Sequence, residues 1–163
     1  GACVLEPVTR GGILATDMGS DGSAAELLYM PGGGSKYPPS HQSVDQRLHF
    51  LRMNGTEIFK LAVRRMADSA KRVMKDAKLT SDDIECFIPH QANTRIIEAV
   101  AKRADLPLEK VYMNLQRYGN TSAASNLIAL YEAVKEGVIT RGDHVVMVAF
   151  GAGLTWGSLL IEW

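Results

Sequence analysis

Apolar residues recur every three or four positions after Asn54, and this periodicity constrains the fold more than any other feature of the sequence. The stripe consists of Ile58, Ala62, Met66, Ala70, Val73 and Ala77. Because it lies among residue types that favour helices, it predicts a long amphipathic helix. A β-prone run over residues 84–88 follows and is closed by Pro89, which predicts a buried strand.

The rest of the chain continues this alternation of helices and strands. The predicted elements are a second helix with Ala92, Ile96, Val100 and Ala104 on its apolar face, a short strand over residues 111–113, a third helix over residues 121–136 with Ala124, Leu127, Ile128, Tyr131 and Val134 inward, and a terminal hairpin of residues 144–150 and 155–161. This order predicts an α/β fold with a mixed five-stranded sheet and packed helices.

The N-terminal third has a different character. Residues 2–8 and 12–18 are β-type runs that predict a hairpin with no obvious partner for its outer edges in this chain. Residues 21–53 are rich in Gly, Pro, Ser and His, which indicates a long connecting loop of the kind that is often functional. Since the first residues have the pattern of a strand interior, we expect the chain to begin inside a longer protein.

Charge and cysteine content exclude several classes of function. Eighteen basic residues balance eighteen acidic ones, so no global field favours nucleic acid or a membrane surface. No apolar run reaches the length of a spanning helix, and we expect a soluble, cytoplasmic protein. Cys3 and Cys86 have no ligand-like spacing, which fits a reducing compartment. His41, His49 and His144 are expected to be structural or exposed, and no metal site is indicated.

Three short segments carry the candidate chemistry. His90 follows the buried strand directly, and sites in open α/β sheets lie at such strand ends. Asn120 occupies the matching junction of the next unit, so a neutral imidazole and an amide could both donate to one developing oxyanion. Each has an ordinary alternative: His90 could fill a boundary pocket, and Asn120 could cap a helix. Small residues around Ala152 allow close backbone approach to a ligand, or simply a tight hairpin.

Taken together, the segments resemble the signature sequences of one enzyme family. They read Pro89-His90-Gln91-Ala92-Asn93-Thr94-Arg95-Ile96-Ile97, Gly119-Asn120-Thr121-Ser122-Ala123-Ala124-Ser125 and Ala149-Phe150-Gly151-Ala152-Gly153-Leu154-Thr155-Trp156-Gly157-Ser158. In order and spacing they are similar to those of the β-ketoacyl-acyl carrier protein synthase III family. The resemblance implies the C-terminal half of a thiolase-like fold, in which two similar α/β halves share a Cys-His-Asn trio.

The same resemblance implies a division of the chain and a role for each motif. Residues 1–20 resemble the last hairpin of a missing N-terminal half, residues 21–53 form the connection, and residues 54–163 form the C-terminal half-domain. His90 and Asn120 match the family's catalytic His and Asn, which hydrogen-bond the malonyl thioester oxygen during decarboxylation. The backbone N–H of Ala152 matches an oxyanion donor for the acyl-enzyme carbonyl.

The nucleophile has no candidate in this chain. Four residues of extended chain place Cys86 roughly 13 Å from His90, too far for a thiolate–imidazole contact. Cys3 lies in no motif, and we expect it to be a small buried residue. The family's cysteine belongs to an upstream segment, so this chain alone should be inactive.

Binding residues are also implied by the resemblance. Met53, Gly55, Phe59, Ala92 and Asn93 match positions that line the pantetheine tunnel, although Met and Phe near a helix start are also ordinary core residues. The basic positions at the tunnel mouth are matched by Lys60, Arg95, Lys102 and Arg103. Acidic carrier proteins would suit them, and a solvated helix face is the alternative.

The function implied is condensation of acyl-CoA with malonyl-acyl carrier protein, which initiates fatty-acid synthesis. The expected partners are these two substrates, the N-terminal half and a second copy in a homodimer; no cofactor is expected beyond the CoA or phosphopantetheine that substrates carry. One alternative is a related synthase of a polyketide or signalling molecule. Another is a non-enzymatic carrier-protein-binding module.

Overall fold

The computed structural model describes all residues, 1–163, and its core is a mixed sheet between two layers of helices. The strands are β1 (Gly12–Ser20), β2 (Leu28–Tyr29), β3 (Arg52–Met53), β4 (Cys86–Pro89), β5 (His144–Gly151) and β6 (Thr155–Glu162). The helices are α1 (His41–Asp45), α2 (Gly55–Asp76), α3 (Thr94–Arg103), α4 (Leu115–Tyr118) and α5 (Ala124–Lys135). The predicted α/β class is therefore confirmed.

The main sheet has the strand order β1-β6-β5-β4, while β2 and β3 form a separate two-stranded ribbon. Strand β6 pairs antiparallel with both β1 and β5, whereas β4 and β5 are parallel. The mixed sheet is confirmed, but it has four strands rather than five. The predicted strand at residues 111–113 shortens to a single bridge between Val111 and Phe87.

Successive side chains of the central strands point to opposite faces of the sheet and therefore pack in two separate cores. Phe87, Val146 and Val148 pack against α2 and α3. Ile88 and Met147 lie in the second core, against α5. Burial on both faces is typical of parallel strands and explains why β4 and β5 are almost wholly apolar.

Helix α2 is the longest element, and its apolar stripe contributes six of the fifteen buried residues of the first core. Asn54 caps its N-terminus by accepting a hydrogen bond from the N–H of Glu57. The predicted long helix is confirmed, and it ends at Asp76, one residue before the last residue of the predicted stripe. For α5 the predicted inward face is partly wrong, because Tyr131 is exposed and the buried positions are Ser125, Ala129 and Ala133.

The expected hairpin of residues 1–20 does not form. Residues 2–8 are exposed and belong to no strand, and only the second arm is a strand, β1. Strand β1 pairs with β6 from Gly12 to Ser20, so the expectation that this segment has no partner in the chain is also wrong. The predicted loop of residues 21–53 contains only short elements, and the division of the chain at residues 20 and 53 stays a prediction.

A buried polar cluster fastens β1 to α2 and β6. The Ser69 hydroxyl donates to Asp17 Oδ2 at 2.6 Å and lies 2.7 Å from Ser158 Oγ. Ser158 in turn donates to the Ser69 carbonyl at 3.0 Å, and Arg72 donates to Asp17 Oδ1 at 2.7 Å. Every member has a partner, so the cluster avoids the cost of unpaired buried polar groups. No helix combines the length and apolar character that crossing a membrane requires.

Ser69→Ala tests this cluster. The substitution leaves Asp17 and Ser158 each without one buried partner, so the free energy of unfolding should fall by about 1–3 kcal/mol. Urea denaturation followed by circular dichroism measures the change. The control is Ser35→Ala in an exposed loop, which should change stability by less than about 0.5 kcal/mol. Equal stability of the two variants would contradict the role of the cluster.

Candidate active site

His90 lies where β4 ends, at the carboxyl edge of the parallel pair. Its backbone N–H donates to the Val148 carbonyl at 2.7 Å, which extends the β4–β5 ladder by one residue. The imidazole is half-buried, and its Nδ1 lies 2.6 Å from Ser125 Oγ at the start of α5. Pairing of β4 with β5 therefore fixes the backbone of His90, and α5 fixes its imidazole ring.

The other imidazole nitrogen is available for a ligand. Nε2 makes no hydrogen bond within the chain, and no buried side-chain nitrogen or oxygen lacks a partner, so Nε2 is accessible. Burial of the ring lowers the pKa of His90 below its usual 6.5, because desolvation disfavours the cation. His90 is thus neutral at neutral pH and can act as a hydrogen-bond donor or acceptor without carrying charge.

Gln91 holds the segment that carries His90. Its side chain is almost wholly buried, and Nε2 donates to the carbonyls of Pro89 at 2.7 Å and Tyr112 at 3.3 Å. Its Oε1 accepts from the N–H of Asn114 at 3.1 Å. One amide thus ties the end of β4 to the chain segment that leads towards Asn120. Sequence reasoning missed this role, and its only signal was a polar residue inside an otherwise apolar motif.

Asn120 lies in the loop between α4 and α5, not at the end of a second strand as predicted. Its Oδ1 accepts from the N–H of Ser122 at 2.8 Å, which stabilises a tight local turn. The α5 N-cap position is held by Ala123 without a side-chain bond, so the helix-cap alternative for Asn120 is wrong. Because Oδ1 is engaged, the exposed Nδ2 amide group remains free to donate to a ligand.

A cluster around Arg117 holds α4 against α5 and so supports this loop. Arg117 contacts Glu132 at 3.2 Å, Glu136 at 3.0 Å and the Tyr112 hydroxyl at 3.0 Å. Tyr118 donates to Glu132 as well. Hydrogen bonds from Tyr118 and then Asn114 lower the pKa of Glu132, and those from Tyr112 and Arg117 lower that of Glu136. The carboxylates therefore stay ionised at neutral pH, and no sequence pattern predicted the cluster.

Ala152 lies in the turn between β5 and β6, where it is exposed. Its carbonyl accepts from Thr155 Oγ1 at 3.1 Å, whereas its N–H makes no hydrogen bond within the chain. The turn therefore offers one free backbone donor. Next to it, the ring of Trp156 lies under the Arg65 guanidinium at 4.5 Å and over Gly19, where an added Cβ would meet the ring at 2.4 Å.

The predicted tunnel residues fall into three places. Met53 is exposed in β3, and Gly55 is the first residue of α2. Ala92 and Asn93 follow His90, and Asn93 caps α3 by accepting from the N–H of Arg95 at 2.9 Å. Phe59 lines an open groove of about 520 Å³ between α2 and the α3 region.

Two of the four basic residues share that groove. Arg95 and Lys102 line it together with Phe59 and Leu106. Neither forms an ion pair, whereas Lys60 pairs with Glu57 at 2.8 Å and Arg103 with Asp68 at 3.3 Å. Arg95 and Lys102 are therefore the two basic residues of the four without a carboxylate partner, and Glu98 lines the same groove.

The two cysteines are free thiols with opposite environments. Cys86 is buried in the second core, and desolvation raises its pKa to about 12, with the Asp143 carboxylate adding to the effect. It is protonated at neutral pH and inert as a nucleophile. Cys3 is exposed, so the expectation that it is buried is wrong.

The remaining histidines make no hydrogen bond with His90. His41 and His49 are exposed, and His49 packs against Phe50 with ring centres 4.5 Å apart. His144 Nδ1 lies 3.0 Å from the Asp83 carbonyl. No group of three or more His, Cys, Asp or Glu side chains is arranged to hold a metal ion.

Comparison with known proteins relates this geometry to one family. Over 163 residues the chain is 50% identical to the β-ketoacyl-[acyl-carrier-protein] synthase III of Clostridioides difficile strain 630. The alignment covers 100% of this chain and 50% of that relative. The crystal structure of 3-oxoacyl-[acyl-carrier-protein] synthase III from Aquifex aeolicus VF5 is similar to this chain, with 42% sequence identity and a TM-score of 0.84. The superposition covers 97% of this chain and 46% of the Aquifex chain.

A third match is the priming β-ketosynthase of the R1128 polyketide biosynthetic pathway. It is 32% identical, with a TM-score of 0.81 over 95% of this chain and 46% of its own. The chain thus spans about half the length of the relatives it matches, and the thiolase-like fold expected from the motifs is confirmed.

Residues 74–163, more than half of the chain, match the family described as 3-oxoacyl-[acyl-carrier-protein (ACP)] synthase III C terminal. They contain His90, Asn120 and Ala152. The chain therefore belongs to the C-terminal 3-oxoacyl-[acyl-carrier-protein] synthase III family.

Proposed function

We propose that this chain is the C-terminal part of a condensing acyltransferase that joins acyl-CoA to malonyl-acyl carrier protein with loss of carbon dioxide, the step that initiates fatty-acid synthesis. The observation that carries the proposal is that, in a member of this family, the neutral His90 ring leaves Nε2 and the Asn120 amide leaves Nδ2 without a partner in the chain. Neutral N–H groups suit an oxygen that gains negative charge during the reaction.

The proposed reaction has three steps. A cysteine thiolate of the N-terminal half attacks the acyl-CoA carbonyl, the bond between the acyl carbon and the CoA sulfur breaks, and CoA leaves as its thiolate. The bond between the malonyl methylene and its carboxylate then breaks, carbon dioxide leaves, and the electron pair passes to the enolate of the thioester. The enolate carbon attacks the acyl-enzyme carbonyl, a carbon–carbon bond forms, and the cysteine thiolate leaves.

Three groups of this chain take part in those steps. His90 Nε2–H and Asn120 Nδ2–H donate to the thioester oxygen as the enolate forms, and the N–H of Ala152 donates to the acyl-enzyme carbonyl oxygen. The lowered pKa of His90 supports this role, because a neutral imidazole keeps its Nε2 proton while it stabilises the enolate.

The nucleophile comes from outside this chain in the proposal. The thiol of Cys86 is buried with a raised pKa, and Cys3 makes no hydrogen bond that would activate it. Apolar side chains at the start of the chain, Val4, Leu5 and Val8, are exposed by 62–87%. Such a surface supports pairing with the N-terminal half in a cytoplasmic homodimer.

Substrate delivery uses the groove between α2 and α3. The pantetheine arm passes Met53, Gly55, Phe59, Ala92 and Asn93, and acidic carrier protein docks on Arg95 and Lys102, with Lys60 and Arg103 beside them. The unpaired charge of Arg95 and Lys102 supports this assignment. The CoA and phosphopantetheine carried by substrates are the only groups required. The likeness to a priming polyketide ketosynthase favours one second candidate, a synthase that primes a polyketide.

Acyl transfer tests the division of labour. We expect the isolated chain to take no label from radioactive acetyl-CoA, because it has no activated thiolate. Mixed with the N-terminal half of the Clostridioides difficile relative, it should form a complex that is labelled on the added half and converts malonyl-acyl carrier protein to the β-ketoacyl product. Stable labelling of the isolated chain at Cys3 or Cys86 would overturn the proposal, and a complex that binds carrier protein but never takes label indicates a binding module.

Substitution of the two donors tests their role in that complex. His90→Ala and Asn120→Ala should each reduce the rate of malonyl decarboxylation by about a hundredfold or more, because one oxyanion donor is lost. Acetyl labelling should persist in both variants. His41→Ala, which changes an exposed histidine, is the control and should retain full activity. Normal decarboxylation by either donor variant would refute its assignment.

Charge reversal tests the docking groove. Arg95→Glu should lower kcat/KM for malonyl-acyl carrier protein by about tenfold at low salt, with a smaller loss at high salt, because screening weakens steering. Lys75→Glu reverses an exposed charge at the far end of α2 and serves as the matched control. The same loss in both variants, or none in Arg95→Glu at low salt, would exclude docking at this groove.

A further inference from the structure

Ser125 is a buried hydroxyl in direct contact with the histidine of the site. It lies in the first turn of α5 with 2% of its surface exposed. Its Oγ is 2.6 Å from His90 Nδ1 and 3.2 Å from the backbone nitrogen of Gln91. Both contacts join α5 to the residues that follow β4, so the hydroxyl lies at the junction of the two segments that carry His90 and Asn120.

The hydrogen atoms of this contact can be assigned from the partners. The Gln91 N–H can only donate, so Ser125 Oγ accepts from it. The hydroxyl hydrogen has one acceptor within hydrogen-bonding distance, His90 Nδ1. When the hydroxyl donates there, Nδ1 is the unprotonated nitrogen of the neutral ring and the proton lies on Nε2.

His144 provides the opposite case in the same molecule. Its Nδ1 lies 3.0 Å from the Asp83 carbonyl oxygen, which can only accept. The hydrogen bond therefore requires the proton on Nδ1. We therefore expect the two histidines to be opposite tautomers, because Nδ1 of His90 faces a hydroxyl and Nδ1 of His144 faces a carbonyl oxygen.

We propose that Ser125 is a positioning residue that fixes His90 in the tautomer with the proton on Nε2 and so presents a donor, rather than a lone pair, to the substrate oxygen. The catalytic part of this inference rests on the proposed function. The other tautomer would place an Nε2 lone pair towards the enolate oxygen and repel it. Since Ser125 follows Asn120 by five residues, the same hydroxyl also links the ring to the end of the Asn120 loop.

Nitrogen NMR of the 163-residue chain tests the tautomer without any substrate. In a chain labelled with ¹⁵N-histidine, long-range proton–nitrogen spectra at a pH above the His90 titration distinguish the two ring nitrogens. We expect His90 to be protonated on Nε2 and His144 on Nδ1, each assigned from the loss of its signals in His90→Ala and His144→Ala. A His90 ring protonated on Nδ1 in the unmodified chain overturns the inference.

Two variants of Ser125 and one control separate positioning from general stability. Ser125→Ala should move both ring nitrogens of His90 towards values averaged between the tautomers, and Ser125→Thr, which keeps a hydroxyl, should restore the original values. Ser69→Ala also removes a buried helix hydroxyl but should leave the His90 signals unchanged. Unchanged His90 nitrogens in a folded Ser125→Ala chain overturn the inference even if the tautomer is the expected one.

The tautomer measurement and the condensation assay can fail independently. In the complex with the N-terminal half, Ser125→Ala should slow malonyl decarboxylation by about tenfold or more while acetyl labelling persists, and Ser125→Thr should recover the rate. Absence of condensation in the unmodified complex refutes the proposed function and leaves the NMR result standing. Condensation by an unmodified complex together with an undiminished Ser125→Ala rate refutes the role of Ser125 alone.

Discussion

The buried amide of Gln91 is the interaction on which the geometry of the site depends. An unpaired amide in this position would cost several kcal/mol, so the chain must supply two acceptors and one donor around it. It takes them from Pro89, Tyr112 and Asn114. These contacts fix the turn after β4 against the segment that precedes α4, and His90 is the residue held between them.

The start of α5 is also held in place by buried or half-buried polar side chains. Asn126 donates to the carbonyls of Ile88 at 2.9 Å and Val148 at 3.2 Å, so it fastens the helix start across the carboxyl ends of β4 and β5. Ser125 contacts His90 in the adjacent position. The Val148 carbonyl therefore accepts two hydrogen bonds, one from the His90 N–H and one from the Asn126 amide. The satisfaction of backbone groups at the sheet edge therefore also brings the Asn120 loop towards His90.

Apolar periodicity predicted the helix and the strand whose buried face is continuous in the sequence. It failed for segments whose structure depends on pairing with a strand far away in the sequence. The stripe of α2 and the apolar run of β4 read directly as a helix and a strand because one face of each is continuous in sequence. Residues 2–8 are equally β-prone but have no partner strand in the chain. Strand β1 finds its partner β6 more than a hundred residues away, which no local pattern encodes.

For the site, the motifs identified His90 and Asn120, whereas the residues that hold them could not be predicted. Gln91, Arg117 and Ser125 act through contacts with segments 15 to 35 residues away, and such contacts exist only in the folded chain. The exposure of Cys3 and Tyr131 has the same origin, since neither residue type nor spacing shows which surface a neighbouring segment will cover.

In the proposed reaction, the polar groups of this chain stabilise developing charge and do not act as the nucleophile. Burial keeps His90 neutral and Cys86 protonated, so neither supplies a charge or a nucleophile. In the proposed function this chain supplies N–H groups oriented by their neighbours, and such groups stabilise a developing oxyanion without reorganising at the moment of reaction. Such donors contribute only when a carbanion or an acyl-enzyme forms beside them. Covalent chemistry can therefore reside on a separate segment, provided that segment is held rigidly against the edge of the sheet that Gln91 and Ser125 order.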